Sequence, residues 1–166
     1  MASESPRPTI RPARPDDAAR CGEIAFHAWQ RVWASWCRLM GDELLEQHYP
    51  DAAEDKRREV EAQIRERPQH AIVTELDGTV VGFLTFRPYP QRKLAEIGNN
   101  AVDPDYQGRG IGAAQCREAL RLFRELGLTS ATVWTGLDEG HAPARAMYEN
   151  AGFKVSTPHV RYFVKL

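Results

Sequence analysis

Cysteine is scarce in this chain of 166 residues, and the three present, at 21, 37 and 116, form no CxxC pair. They keep no ligand spacing with the five scattered histidines either, which argues against a disulfide framework and a zinc site. No metal is expected. No apolar run approaches the roughly 18 residues that a membrane helix needs, and the opening stretch 1–9, MASESPRPT, lacks the apolar core of a secretory signal. A cytoplasmic protein without a membrane partner is the expectation. The formal net charge is −1, from 22 basic and 23 acidic residues, so no overall basic field gathers nucleic acid, and no nucleic-acid partner is expected. The excess of arginine over lysine, 18 to 4, fits GC-rich codon usage as well as anion binding and decides nothing. Internal repeats, linkers and low-complexity tracts are also lacking.

What is present is an ordinary globular composition, 42% apolar and 27% charged, at a length suited to one domain spanning 1–166. Residues 9–14 read as an edge strand, with Pro12 and Pro15 confining it to an edge or bulge and Asp16 as the N-cap of the helix that follows. From 17 to 36 the apolar positions Ile24, Phe26, Trp29, Val32, Trp33 and Trp36 recur at three and four, the period of an amphipathic helix. A second helical region runs over 42–49, breaks at Pro50 and resumes over 53–67. The period then changes to that of strands over 70–76 and 79–86, separated by the hairpin signal Asp77-Gly78, and over 93–102. Helices over 110–126 and 142–151, a strand over 129–135, and final strands over 153–155 and 160–164 complete the reading. This order makes a mixed, largely antiparallel sheet with helices on its faces.

The segment Val102-Asp-Pro-Asp-Tyr-Gln-Gly-Arg-Gly-Ile-Gly112 joins a strand to a helix through a loop with glycines at 108, 110 and 112. Glycines let a ligand approach the backbone, and the unpaired N–H groups and dipole of the next helix favour a pyrophosphate there. A P-loop would need Gly-Lys-Ser/Thr, which Gly110-Ile111-Gly112 does not supply. Gly108-Arg-Gly110-Ile-Gly-Ala113 matches the dinucleotide pattern GxGxxA, yet residues 103–107 intervene after the strand and no well-placed acid ends the next one. A nicotinamide or flavin protein is disfavoured on that spacing.

The wider pattern Gln107-Gly-Arg-Gly110-Ile-Gly112, after a strand and an Asp-Pro turn, resembles motif A of the GNAT superfamily of N-acetyltransferases. Ala144-x-x-x-Tyr148-x-x-x-Gly152-Phe153 resembles its motif B, and the stretch Ile10 to Ala18 its first strand and helix start. The resemblance implies an α/β fold of the α+β type: a mixed, largely antiparallel sheet of about seven strands flanked by about four helices. It further implies an N-acetyltransferase using acetyl-coenzyme A on a primary amine, expected to be that of a small molecule, with a homodimer left open. The backbone of Gln107, Gly108, Arg109, Gly110, Ile111 and Gly112 would cradle the coenzyme A pyrophosphate, while Ala101 and Val102 would pair with pantetheine. The Arg109 side chain either reaches a phosphate or stands solvated. His141 occupies the position where many members carry an asparagine toward the pantetheine arm. Glu96 matches a glutamate that removes the amine proton through water, and Tyr148 the phenol that meets the departing sulfur.

The acceptor side is less determined. Phe26, Trp29, Trp33 and Trp36 read as core packing or as one wall of an acceptor pocket, with Trp33, Trp36 and Tyr49 facing it in the second case. Asn99 and Asn100, unusual in a central strand, are candidates for binding acceptor or coenzyme. Asp138 and Glu139 read as loop acids or as attractors of a cationic amine. A non-catalytic acyl-coenzyme A binding module is the alternative from another functional class.

Overall fold

A computed structural model of the chain describes residues 8–166. Five strands make one sheet in sequence order: β1 (Thr9–Pro12), β2 (Ala71–Leu76), β3 (Thr79–Tyr89), β4 (Leu94–Val102) and β5 (Ser130–Val133). The first four pair antiparallel, and β5 joins β4 in parallel. The helices are α1 (Ala18–Ala28), α2 (Gln30–Met40), α3 (Asp42–His48), α4 (Ala52–Glu66), α5 (Ile111–Glu125) and α6 (Ala142–Asn150). They fall into the four helical stretches that the periodicity predicts, with α1 meeting α2 at Trp29 and α3 separated from α4 around Pro50.

Strand alternation sorts the core to two faces. On one, Cys21, Ile24 and Ala25 of α1 and Val60 and Ile64 of α4 pack on Val73, Phe83 and Ala101. On the other, Cys116, Ala119 and Phe123 of α5 and Tyr148 of α6 pack on Ile72, Leu84 and Ile97. Neighbouring residues such as Ile72 and Val73, or Phe83 and Leu84, point to opposite cores, which is why these strands read as continuous apolar runs.

Two expectations are corrected. Among the described residues the sheet has five strands rather than about seven, because 153–155 and 160–164 form none. The end of α6 captures the tail first: Phe153 N–H donates to Tyr148 O at 3.1 Å, and the Phe153 ring meets Tyr148 edge-on at 5.7 Å. Arg161 then donates to Tyr49 Oη at 2.9 Å and Phe163 packs on His48, so side-chain anchors draw the tail toward α3. The four-residue β5 offers few ladder bonds in competition. At the other end, α1 starts at Ala18 after a 3-10 turn over Pro15–Asp17, and it is Asp17 rather than Asp16 whose carboxylate closes that turn, accepting from Arg14 N–H at 2.7 Å.

Asp17 also accepts from both terminal nitrogens of Arg11, at 2.8 and 2.9 Å, and Arg11 reaches Glu75 at 2.6 Å, tying β1 to β2 and to the start of α1. These Arg11 hydrogen bonds, opposed by burial and helped by the Arg14 amide, hold the Asp17 carboxyl below its ordinary range. A depressed carboxylate contributes stability that is present above its unfolded value of about 3.9 and lost as pH falls through the lower folded value. Thermal unfolding followed from pH 6 to 2 should therefore show a steeper loss of melting temperature below about pH 4 in the wild type than in Asp17→Asn.

Pairing of β4 with β5 ends at Ile97↔Val133, while β4 runs on to Val102, so the two parallel strands part at their C-terminal ends. β4 is also bulged there. Leu84 faces Asn100 and Phe86 faces Ile97, leaving Gly98 and Asn99 both opposite Thr85. The opening beyond the last parallel pair leaves the end of β4 without a β5 partner.

Candidate active site

The glycine loop closes one end of the opening. Gly108 and Gly110 have φ of 76° and 75°, and nothing lies within 4 Å of where their Cβ atoms would be, so left-handed backbone rather than crowding calls for glycine. Gly110 is the N-cap of α5 and provides no side-chain cap; the first internal bond runs from Ala114 N–H to Gly110 O at 3.0 Å. The amides of Ile111, Gly112 and Ala113 are thus left for a ligand, with the helix dipole behind them. Gln107 Nε2 donates to Val102 O at 3.0 Å and folds the loop onto the strand end. Arg109 is turned back as well, donating to Asp105 O at 3.2 Å with its guanidinium 5.1 Å from the Tyr106 ring centre. The open amides and the helix dipole suit an anionic pyrophosphate, and the space beside Gly108 and Gly110 is clear.

Beneath the loop lies a buried polar network. Gln115, fully buried on α5, accepts from Thr74 Oγ1 at 2.7 Å and donates to Asn100 Oδ1 at 2.7 Å and Phe83 O at 3.1 Å. Asn100 in turn donates to Gly112 O at 3.2 Å, fixing the start of α5 against β4, and its amide lies beside the Tyr148 phenol. Asn100 therefore faces α5 and α6 and is engaged within the protein. Tyr148 is 7% exposed, and burial, reinforced by Cys116 and opposed by Asn100, raises its phenol well above the ordinary range. It stays a neutral O–H donor. Gln115 escaped the sequence reading; a glutamine on the apolar stripe of α5 was the available signal.

At the C-terminal side of β5, His141 Nδ1 lies 2.6 Å from Asp138 Oδ2. The carboxylate is acceptor-only, so Nδ1 carries the proton and Nε2 is the nitrogen left for other partners. Burial alone would raise Asp138, but hydrogen bonds from His141, Ser35 and Trp36 outweigh it and hold the carboxylate below its ordinary range. Arg145 clamps the same turn through Gly136 O at 2.6 Å and Asp138 O at 2.8 Å. Asp138 thus orients His141 and anchors the turn to α2, a role its loop position did not reveal; Glu139 meets Arg38 at the surface. Trp33, Trp36 and Tyr49 pack together with centroids 5.2 to 6.4 Å apart, and Trp36 lies 6.3 Å from His141. Among the described residues, buried Trp33 Nε1 by this wall and Thr135 Oγ1 just past β5 have no hydrogen-bond partner.

Glu96 and Asn99 point to the opposite face of the sheet from Tyr148. Both line a cavity of about 350 Å³ between α4 and the β3–β4 ladder, together with Lys56, Arg67, His70 and Arg87. Asn99 Nδ2 donates to Glu59 at 3.2 Å and Gln63 at 3.1 Å on α4. The cavity wall supplied by α4 and β3 had no local signature in the sequence, since its members are far apart along the chain. Among the described residues no group of three or more histidine, cysteine or acidic side chains is arranged to hold a metal ion, and no helix is long and apolar enough to cross a membrane.

Comparison with known proteins agrees with this architecture. The chain is 34% identical over 93 residues to a mycothiol acetyltransferase of Saccharomonospora viridis, covering 52% of this chain and 30% of that protein. It is 36% identical over 69 residues to the ribosomal protein bS18-alanine N-acetyltransferase of Escherichia coli, covering 42% of this chain and 45% of that one. The chain spans less than half the length of these curated relatives. The fold matches that of PaiA N-acetyltransferase from Thermoplasma acidophilum in complex with coenzyme A, with a TM-score of 0.70 and 17% identity over 92% of this chain and 93% of that one. The model of the acetyltransferase (GNAT) family matches residues 29–153, from the aromatic wall through the glycine loop to Phe153, and the chain belongs to that family.

Proposed function

We propose that this chain is a cytoplasmic N-acetyltransferase that moves the acetyl group of acetyl-coenzyme A to a primary amine of a small molecule by direct attack in a ternary complex. The observation that carries the reading is the parting of β4 from β5 beyond Ile97↔Val133, with the open amides of α5 at one end and Tyr148 and Glu96 on opposite faces of the sheet beside it. Acetyl-coenzyme A supplies an acyl group already activated as a thioester.

The amides from Gln107 to Gly112 hold the pyrophosphate, and the strand end at Ala101 and Val102, past the last β5 partner, offers the Val102 N–H to the pantetheine arm, the two carbonyls there already accepting from Gln115 and Gln107. His141, aimed by Asp138, offers Nε2 to the same arm. The acceptor must lose a proton, since an alkyl amine with a pKa around 10.4 is mostly protonated at neutral pH. Glu96 draws the ammonium by charge and takes that proton through water. Tyr148 donates its O–H to the sulfur as it gains charge. Its raised pKa makes complete proton transfer unfavourable, so it acts by hydrogen bonding. Burial pushes the Cys116 thiol up, away from the thiolate form a covalent route would need, which favours direct attack.

Relatives named for mycothiol and for a ribosomal protein span small and macromolecular acceptors. A cavity of about 350 Å³ suits the small one. Calorimetric titration should give binding of acetyl-coenzyme A and coenzyme A but not NAD, and an amine panel should then stimulate thiol release. Absence of coenzyme A binding would overturn the reading, and binding without any stimulated release would favour a sensor.

A further inference from the structure

The polar lining of the cavity beside Glu96 divides into a set paired within the protein and a set without protein partners. Lys56 pairs with Glu59 at 2.6 Å and reaches Asn99 Oδ1 at 3.4 Å, while Asn99 donates to Glu59 and Gln63, so these four side chains complete one another. Glu96, Arg67 and Arg87 line the same cavity, and among the described residues their side chains have no hydrogen-bond or ion-pair partner. Arg87 and Glu96 stand directly opposite on β3 and β4, where Cβ atoms are about 5 Å apart, yet they form no ion pair. His70, also in the lining, has its pKa lowered by burial and then by the charges of Arg67 and Arg87, so the three basic groups share one end of the cavity.

An acid and a group of bases held side by side without neutralising each other match a ligand with both charges. We propose that the acceptor carries an anionic group a few bonds from its amine, as a free amino acid does, with the ammonium at Glu96 and the anion between Arg67 and Arg87. The short span follows from the direct opposition of Arg87 and Glu96 on paired strands. This rests on the transferase reading and adds the chemical class of its acceptor.

The test uses the full chain with acetyl-coenzyme A and matched amines: L-lysine against cadaverine, and O-phosphoethanolamine against ethanolamine, read by thiol release. The anionic member of at least one pair should have a kcat/KM about tenfold or more above its neutral-tailed partner, and the responding pair tells carboxylate from phosphate. Arg67→Gln and Arg87→Gln, at exposed positions, should raise KM for that acceptor by about 10- to 100-fold, the loss expected for a charge-assisted hydrogen bond. Their kcat should stay within about twofold, and their acetyl-coenzyme A affinity should not change. Independently of turnover, the His70 imidazole resonance should move on titration with L-lysine or O-phosphoethanolamine and not with cadaverine. Equal use of the anionic and neutral members in both pairs, arginine variants with unchanged KM, or a His70 signal unmoved by both anionic amines would each overturn the proposal. Failure to bind acetyl-coenzyme A would instead remove the transferase reading, while the His70 titration would still decide whether an anion binds.

Discussion

Tyr148→Phe should lower kcat by about 10- to 100-fold while leaving the affinity for coenzyme A unchanged. The phenol is buried against Phe153 and Cys116, and its raised pKa keeps it protonated through the working pH range. A neutral O–H meeting a developing thiolate makes a charge-assisted hydrogen bond, about 1.5 to 3 kcal/mol, and that stabilisation exists only when charge appears on sulfur. Each 1.36 kcal/mol is a factor of ten in rate, which gives the range above. Phenylalanine keeps the ring and its packing, so a melting temperature close to wild type should accompany the lost turnover. Steady-state thiol release, paired with calorimetry, separates the two. An unchanged kcat would eliminate Tyr148 from the chemistry.

Gly110→Val should weaken coenzyme A binding by about 100-fold. A β-branched residue is strongly disfavoured at a φ of 75°, so the loop must turn to another conformation or carry about 1 to 3 kcal/mol of strain. Either way the amides at the start of α5 lose their common aim, and each one withdrawn from a phosphate forfeits a charge-assisted bond. Gly110→Asn is the control, because asparagine tolerates left-handed backbone and should keep affinity within about tenfold. Calorimetry on the three proteins makes the comparison. Tight binding by the valine variant would remove the loop from the cofactor site.

Much of this molecule was legible from residue order. The loop from Gln107 to Gly112 was readable because its requirement is local: left-handed glycines and an uncapped helix start act within six residues. The end of α6 is local too, where Gly152 N–H donates to Glu149 O at 3.2 Å and Phe153 N–H to Tyr148 O. The tail failed the same logic. Val160, Tyr162 and Val164 alternate as a strand should, yet each stays more than two-thirds exposed. Period two states that a segment is able to pair and not that a partner edge is within reach.

Asn99 and Asn100 show what alternation conceals. They are adjacent and chemically alike, and residue type alone makes both ligand-binding candidates; the fold sends one to α4 and the cavity and the other to Gln115 and α5. Asp138 looked like a free loop acid and is a buried partner of His141, Trp36 and Ser35, because α2 packs over the turn from more than a hundred residues upstream.

The sequence by itself determined the helices, the hairpin at Asp77-Gly78 and the glycine-rich turn before α5, since these follow from periodicity, capping and backbone conformation over a few residues; the candidate phenol Tyr148 came from the resemblance of 144–153 to motif B. Tertiary structure alone decided how many strands join the sheet, where β4 leaves β5, and which charges face one cavity. Those outcomes depend on which distant segments meet: Arg67, Arg87 and Glu96 share the cavity only because α4 is laid across β3 and β4, and no local rule of the chain encodes that meeting.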